Sequence, residues 1–138
     1  MDNSSNLRSW GLTVLRVVVG IVFLVHGSQK LFTFGFHGVA GMFGSMGVPL
    51  PAVSAVVVTL VEFLGGLALI FGIVTRVAAA LLAIDMLGAI IFVHGKHGFS
   101  MQSGGFEYPL TVLAATICLM LAGPGALAVQ SLFGRNKI

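Results

Sequence analysis

The stretch "RVVVGIVFLVHGSQKLF", residues 16–32, decides how this chain must fold. From Val17 to Val25 every residue is apolar or glycine. Such a run lies in lipid, where only a helix or a closed barrel satisfies its own backbone groups. The run then ends unusually. His26, Gln29 and Lys30 arrive together, with Leu31 and Phe32 still apolar behind them. A simple anchor ends in a Trp, a Tyr or one loose Lys. Three hydrogen-bonding side chains in one last turn call for a partner elsewhere in the chain.

The rest of the sequence has the same character. Of 138 residues, 57% are hydrophobic and 8% charged, with a mean hydropathy of +1.08. Soluble domains carry about a quarter charged residues, so a water-soluble reading is excluded. The net charge of +3 is spread over scattered basic residues. There is no basic stripe with interleaved aromatics, which excludes a nucleic-acid partner. The single cysteine, Cys118, excludes an internal disulfide and a paired-thiol redox centre. The segment before the first apolar run lacks the basic character of a signal peptide, and apolar residues resume after Ser28; cleavage is not expected.

Four apolar segments are separated by Gly- and Pro-rich connections. They predict spanning helices at about 12–34, 52–74, 76–94 and 107–123, within one domain of residues 1–138. The runs are too long and too few for a barrel. The expected fold class is therefore all-α, an integral-membrane four-helix bundle. "GFHGVAGMFGSMGVPLP" (35–51) joins the first two helices, and its "VAGMFGSMG" suits a short interfacial helix. Gly72 to Arg76 forms a tight turn. Pro109 suits the first turn of the fourth helix, "GPG" (123–125) stops it, and the tail 126–138 is expected along the surface. Arg8, Arg16, Arg76, Arg135 and Lys137 fall on one side, Lys30 and Lys96 on the other. The positive-inside rule then places the N- and C-termini in the cytoplasm.

On this topology His26 lies ~20 Å above the inner boundary, at 1.5 Å per helical residue. Glu62 is the only charge in the second helix and sits near the bilayer middle; Glu107 and Tyr108 open the fourth helix. An ionisable group at that depth marks a functional site by default and points to a partner inside the bundle. The candidate ligand-binding set is His26, Gln29, Lys30, Glu62, Glu107 and Tyr108, with Lys30 or His26 as the partner of Glu62. Arg16 and Asp85 fall in the inner half as a second, structural or proton-path pair. The plain alternatives are a Lys30 that snorkels to headgroups and a Glu62 closed in a structural salt bridge. Gly65-Gly66 allows close helix approach or leaves room for a flat ligand. His94-x-x-His97 lacks a third ligand, so no metal site is expected.

Taken together in their order and spacing, "RVVVGIVFLVHGSQKLF" (16–32), "MGVPLPAV" (46–53), "EFLGGLALIFGIVTRVAA" (62–79), "GGFEYPLTVLAA" (104–115) and "GPG" (123–125) resemble the DoxX family of small bacterial four-helix membrane proteins. The resemblance covers about Leu15 to Gly125. It implies the bacterial plasma (inner) membrane and a subunit of a redox complex linked to sulfur or oxidative-stress chemistry, with quinone as the implied cofactor. It supplies no catalytic residue set. His26, Gln29, Lys30, Glu62, Arg76, Glu107 and Tyr108 are carried as motif positions only. Without paired cysteines, an oxidoreductase subunit of this kind holds no redox centre of its own, and its electrons come from a protein partner. Two other functions stand beside it. One is a non-enzymatic scaffold or anchor for a partner protein. The other is a small-solute or proton conduit, which at this length requires a homo-oligomer.

Overall fold

The computed structural model describes residues 2–134 and 137–138. The described residues form helices joined by short turns, with no strand among them. Helix α1 (Asn3–Ser28) continues as a π-helical turn (Gln29–Phe34) and breaks at Gly35, whose φ of 70° ends the helical path. Helix α2 (Gly35–Ser45) is short. Helix α3 (Pro51–Phe71) begins on a proline, where the missing N–H costs least, and ends on Gly72 in the left-handed region. Helix α4 (Thr75–Ala89) runs into a second π turn (Ile90–His94). Helix α5 (Glu107–Ala122) follows two 3₁₀ turns, and a last 3₁₀ turn spans Val129–Phe133.

Three helical stretches are long and apolar enough to cross a membrane: Asn3–Ser45, Pro51–Phe71 and Thr75–His97. Helix α5, of 16 residues, rises ~24 Å at 1.5 Å per residue. The surface is inverted relative to a soluble protein. Ile84 and Leu121 are 66% and 68% exposed, while Arg16 and Glu62 are 1% and 4% exposed. Apolar side chains outward and ionisable ones inward are what lipid as solvent selects.

The helices meet along one core of Val19 and Phe23 from α1, Leu69 from α3, Leu82 from α4 and Leu119 from α5. Helices α1 and α3 approach closely because glycines line their seam. A Cβ on Gly66 would come within 2.5 Å of the Leu24 nitrogen, and one on Gly27 would overlap the Phe63 backbone. With no hydrophobic drive between helices in lipid, such small-residue contacts carry the association. Gly65 faces the other way and is covered by Leu82. Of the two readings of Gly65-Gly66, Gly66 thus serves the close approach of α1 and α3.

Two details stand out at the end of the molecule near the α3–α4 turn. First, α1 starts at Asn3, well before the apolar run. Hydropathy marks where a helix enters lipid, not where its hydrogen bonds begin. Second, the tail lies along the surface, with Leu127, Leu132 and Phe133 74%, 80% and 71% exposed, and is pinned there by a buried polar side chain. Gln130 is buried; its N–H donates to the Gly72 carbonyl at 3.0 Å, and its Oε1 accepts from the Thr75 N–H at 2.8 Å. This holds Val74 at a φ of 43°, a backbone state that a β-branched residue rarely adopts. The Arg76 N–H donates to the Ile138 carbonyl, and the Arg76 guanidinium caps the carbonyls of Met120, Leu121 and Ala122 at the end of α5. Arg135 lies outside the described residues.

Candidate functional site

The polar end of the first apolar run finds its partner in α3. Lys30 Nζ stands 2.7 Å from Glu62 Oε2, the one ion pair among the described residues. The π turn that begins at Gln29 widens the helix where Lys30 leaves it, and such turns often mark functional positions. Glu62 is almost fully buried, while the Lys30 side chain keeps 21% of its exposure. Neither snorkelling nor an isolated buried charge describes this arrangement.

Asp85 joins the same cluster from α4. Its carboxyl lies within interacting range of Glu62 and Lys30, and its Oδ2 is buried without a hydrogen-bond partner. It was expected deeper, paired with Arg16. Arg16 instead donates to the carbonyls of Pro124 at 2.6 Å, Leu127 at 3.1 Å and Ala126 at 3.4 Å, so it fastens the chain after α5 to α1. No Arg16–Asp85 pair forms. The level of Asp85 was legible in the sequence. Glu62 lies nine residues before Phe71 and Asp85 ten after Thr75, so antiparallel helices from a common turn carry both to one height.

The cluster lines a cavity of about 680 Å³. His26, Gln29, Lys30, Glu62, Asp85, His94 and Tyr108 all line it. The Tyr108 ring stands edge-on to His26, with centroids 6.4 Å apart. His94 Nδ1 is 2.8 Å from the Gly104 carbonyl, which fixes its ring at the cavity wall. The remaining walls are apolar: Val57, Val58 and Val61 from α3, and Leu81, Ile84 and Phe92 from α4 and its π turn. Helix α2 and the segment after it cover the space with Met42, Phe43, Met46 and Leu50. This cover went unread in the sequence, where "VAGMFGSMG" announces a helix but not what lies under it.

Glu107 stands apart from the predicted set. It does not line the cavity; its Oε1 accepts the Met101 N–H at 2.7 Å and ties down the loop before α5. The described residues contain no group of three metal-ligating side chains. The donor set suits an amphipathic organic ligand instead. Lys30, Tyr108 and His26 offer donors, the Asp85 oxygen lacks a partner, and the walls accept flat apolar surface.

Comparison with known proteins agrees with this membrane architecture. The DoxX family model matches residues 11–95. The chain is 37% identical over 127 residues to "Putative oxidoreductase CatD" of Bacillus subtilis (strain 168), covering 92% of this chain and 90% of that one. It is 33% identical over 134 residues to "Inner membrane protein YqjF" of Escherichia coli (strain K12), covering 94% and 97%. A third relative, "Uncharacterized membrane protein Rv3486" of Mycobacterium tuberculosis, is 34% identical over 121 residues, covering 80% and 74%. No solved structure matches the chain.

Proposed function

The chain belongs to the DoxX family and is a multi-pass protein of the bacterial inner membrane, and from this premise we propose that it is the membrane subunit of a redox complex whose cavity binds a quinone. The observation that carries the reading is that Lys30, Glu62 and Asp85 line a largely apolar cavity of about 680 Å³. A quinone pairs a flat apolar body with polar carbonyls, and the cavity offers complementary surfaces for both. Lys30, Tyr108 and His26 are the donors for its carbonyl oxygens, and the valines of α3 with Phe92 flank its ring. A bound quinone supplies the carrier chemistry, taking up electrons together with protons. The residues of this chain bind and orient it and exclude water. The electrons come from a partner's redox centre, in the sulfur or oxidative-stress setting that the family resemblance implies.

A second reading, a scaffold without a ligand, is favoured by the closure of Lys30 on Glu62. A conduit would need Arg16 in its polar path, whereas Arg16 is engaged with the carbonyls of the chain after α5. Glu62→Gln separates the first two. Quinone retention and turnover with the partner are expected to fall at least tenfold while the protein still accumulates in the membrane. A variant that fails to accumulate supports the scaffold.

A further inference from the structure

The cavity opens sideways into the membrane. Among the residues that line it, Leu50 and Val57 at α3 and Leu81 and Ile84 on α4 are exposed on the apolar outer surface of the bundle. A ligand that reaches Lys30 through this side comes out of lipid, not out of water. On the same α3–α4 face lies a second hollow, a groove of about 250 Å³. Val61 and Leu81 line both spaces, which therefore meet at this pair. From there the groove follows α3 past Leu64 to Ala68, and α4 back past Ala78 to Val74 at the turn between the helices. The α3 side from Val61 to Ala68 is ~10 Å long at 1.5 Å per residue. Every residue that lines the groove is apolar or glycine.

We infer that this groove seats the hydrocarbon tail of the cavity's ligand. Cavity and groove together then take a long-chain prenylated quinone, its ring in the cavity and its chain laid between α3 and α4 towards their turn. The inference rests on the quinone reading of the cavity. Val61 precedes Glu62, and Leu81 lies one helical turn before Asp85, so a chain that leaves past this pair starts at the level of the polar side chains. A prenylated quinone has this shape, because its chain leaves the ring beside a carbonyl. A phospholipid does not, because its charged headgroup stays at the interface, whereas Glu62 lies eleven residues after Pro51, ~16 Å into α3. In lipid the tail gains little from apolar surroundings as such. The groove supplies close packing and a fixed direction, which hold the ring in one orientation in the cavity.

Light-activated probes on the full-length protein in lipid nanodiscs test this. Two probes are a benzoquinone and a naphthoquinone, each with a prenyl tail that carries a diazirine. A third is a phospholipid with a diazirine in its acyl chain. Peptide mass spectrometry locates the label. The quinone probes are expected to mark segments 60–68 and 74–81. Gly88→Phe, which fills the cavity, is expected to lower that label at least tenfold. An excess of the same quinone without its tail is expected to do so in the wild type, which tests the inference even if the variant folds poorly. Groove label that neither treatment lowers, or equal marking by the phospholipid, would show a groove filled by any membrane chain and overturn the inference. Tailless quinone retained by the wild type, with no label in the groove, would overturn the inference and leave the cavity as a quinone site. A wild type that retains neither form of quinone would overturn both readings.

Discussion

Lys30 and Glu62 are 32 positions apart in the chain, yet Lys30 Nζ meets Glu62 Oε2 at 2.7 Å. The contact one turn earlier makes this possible. Gly27 lies against the backbone of Glu62 and Phe63, with no room for a Cβ. A glycine chosen for helix packing thus sets the reach of a charged side chain three residues later.

Gly27→Leu is expected to force α1 away from α3 and separate the ion pair. Overpacking of this kind typically costs about 1–3 kcal/mol, and the loss of the pair adds to it. Thermal unfolding in detergent should show a clearly lowered midpoint. An unchanged midpoint would mean that the two helices do not meet at Gly27.

Arg16→Met is expected to free the chain after α5 without touching the cavity. It leaves the carbonyls of Pro124, Ala126 and Leu127 without their donor, at about 2–3 kcal/mol for hydrogen bonds to a charged group. Limited proteolysis should then cut within the C-terminal segment, while quinone retention stays at the wild-type level. Loss of retention with an intact tail would reassign Arg16 to the site.

The orientation drawn from the positive charges is tested at Ser103, in the loop before α5. With Cys118 replaced by Ala, Ser103→Cys should react in whole cells with a membrane-impermeant thiol reagent. Labelling only after lysis would place that loop in the cytoplasm and invert the topology.

The sequence disclosed the membrane architecture because the energetic cost of exposing backbone to lipid leaves few options. It also narrowed the partner of Glu62 to Lys30 or His26, since a buried carboxylate demands a cation and few exist; the structure selects Lys30. Asp85 was read at the wrong level, because Arg16 offered a nearer-looking partner. Arg16 was in fact claimed by carbonyls that turn back after "GPG", a tertiary contact with no signature in local pattern. The cover of the cavity by Met42, Met46 and Leu50 was hidden for the same reason. Apolar residues in a membrane chain look alike whether they face lipid or enclose a space.

Gly88 offers the most direct measurement. It lines the cavity, and a Cβ added there meets nothing within 4 Å. Gly88→Phe therefore fills the space without disturbing the Lys30–Glu62 pair. Native mass spectrometry of wild type and variant, purified in mild detergent and supplied with quinone, compares their occupancy directly. A quinone mass on the wild type and a bare Gly88→Phe chain are the predicted result. Equal occupancy of the two, or a wild type that carries no quinone, would contradict the cavity as a quinone site.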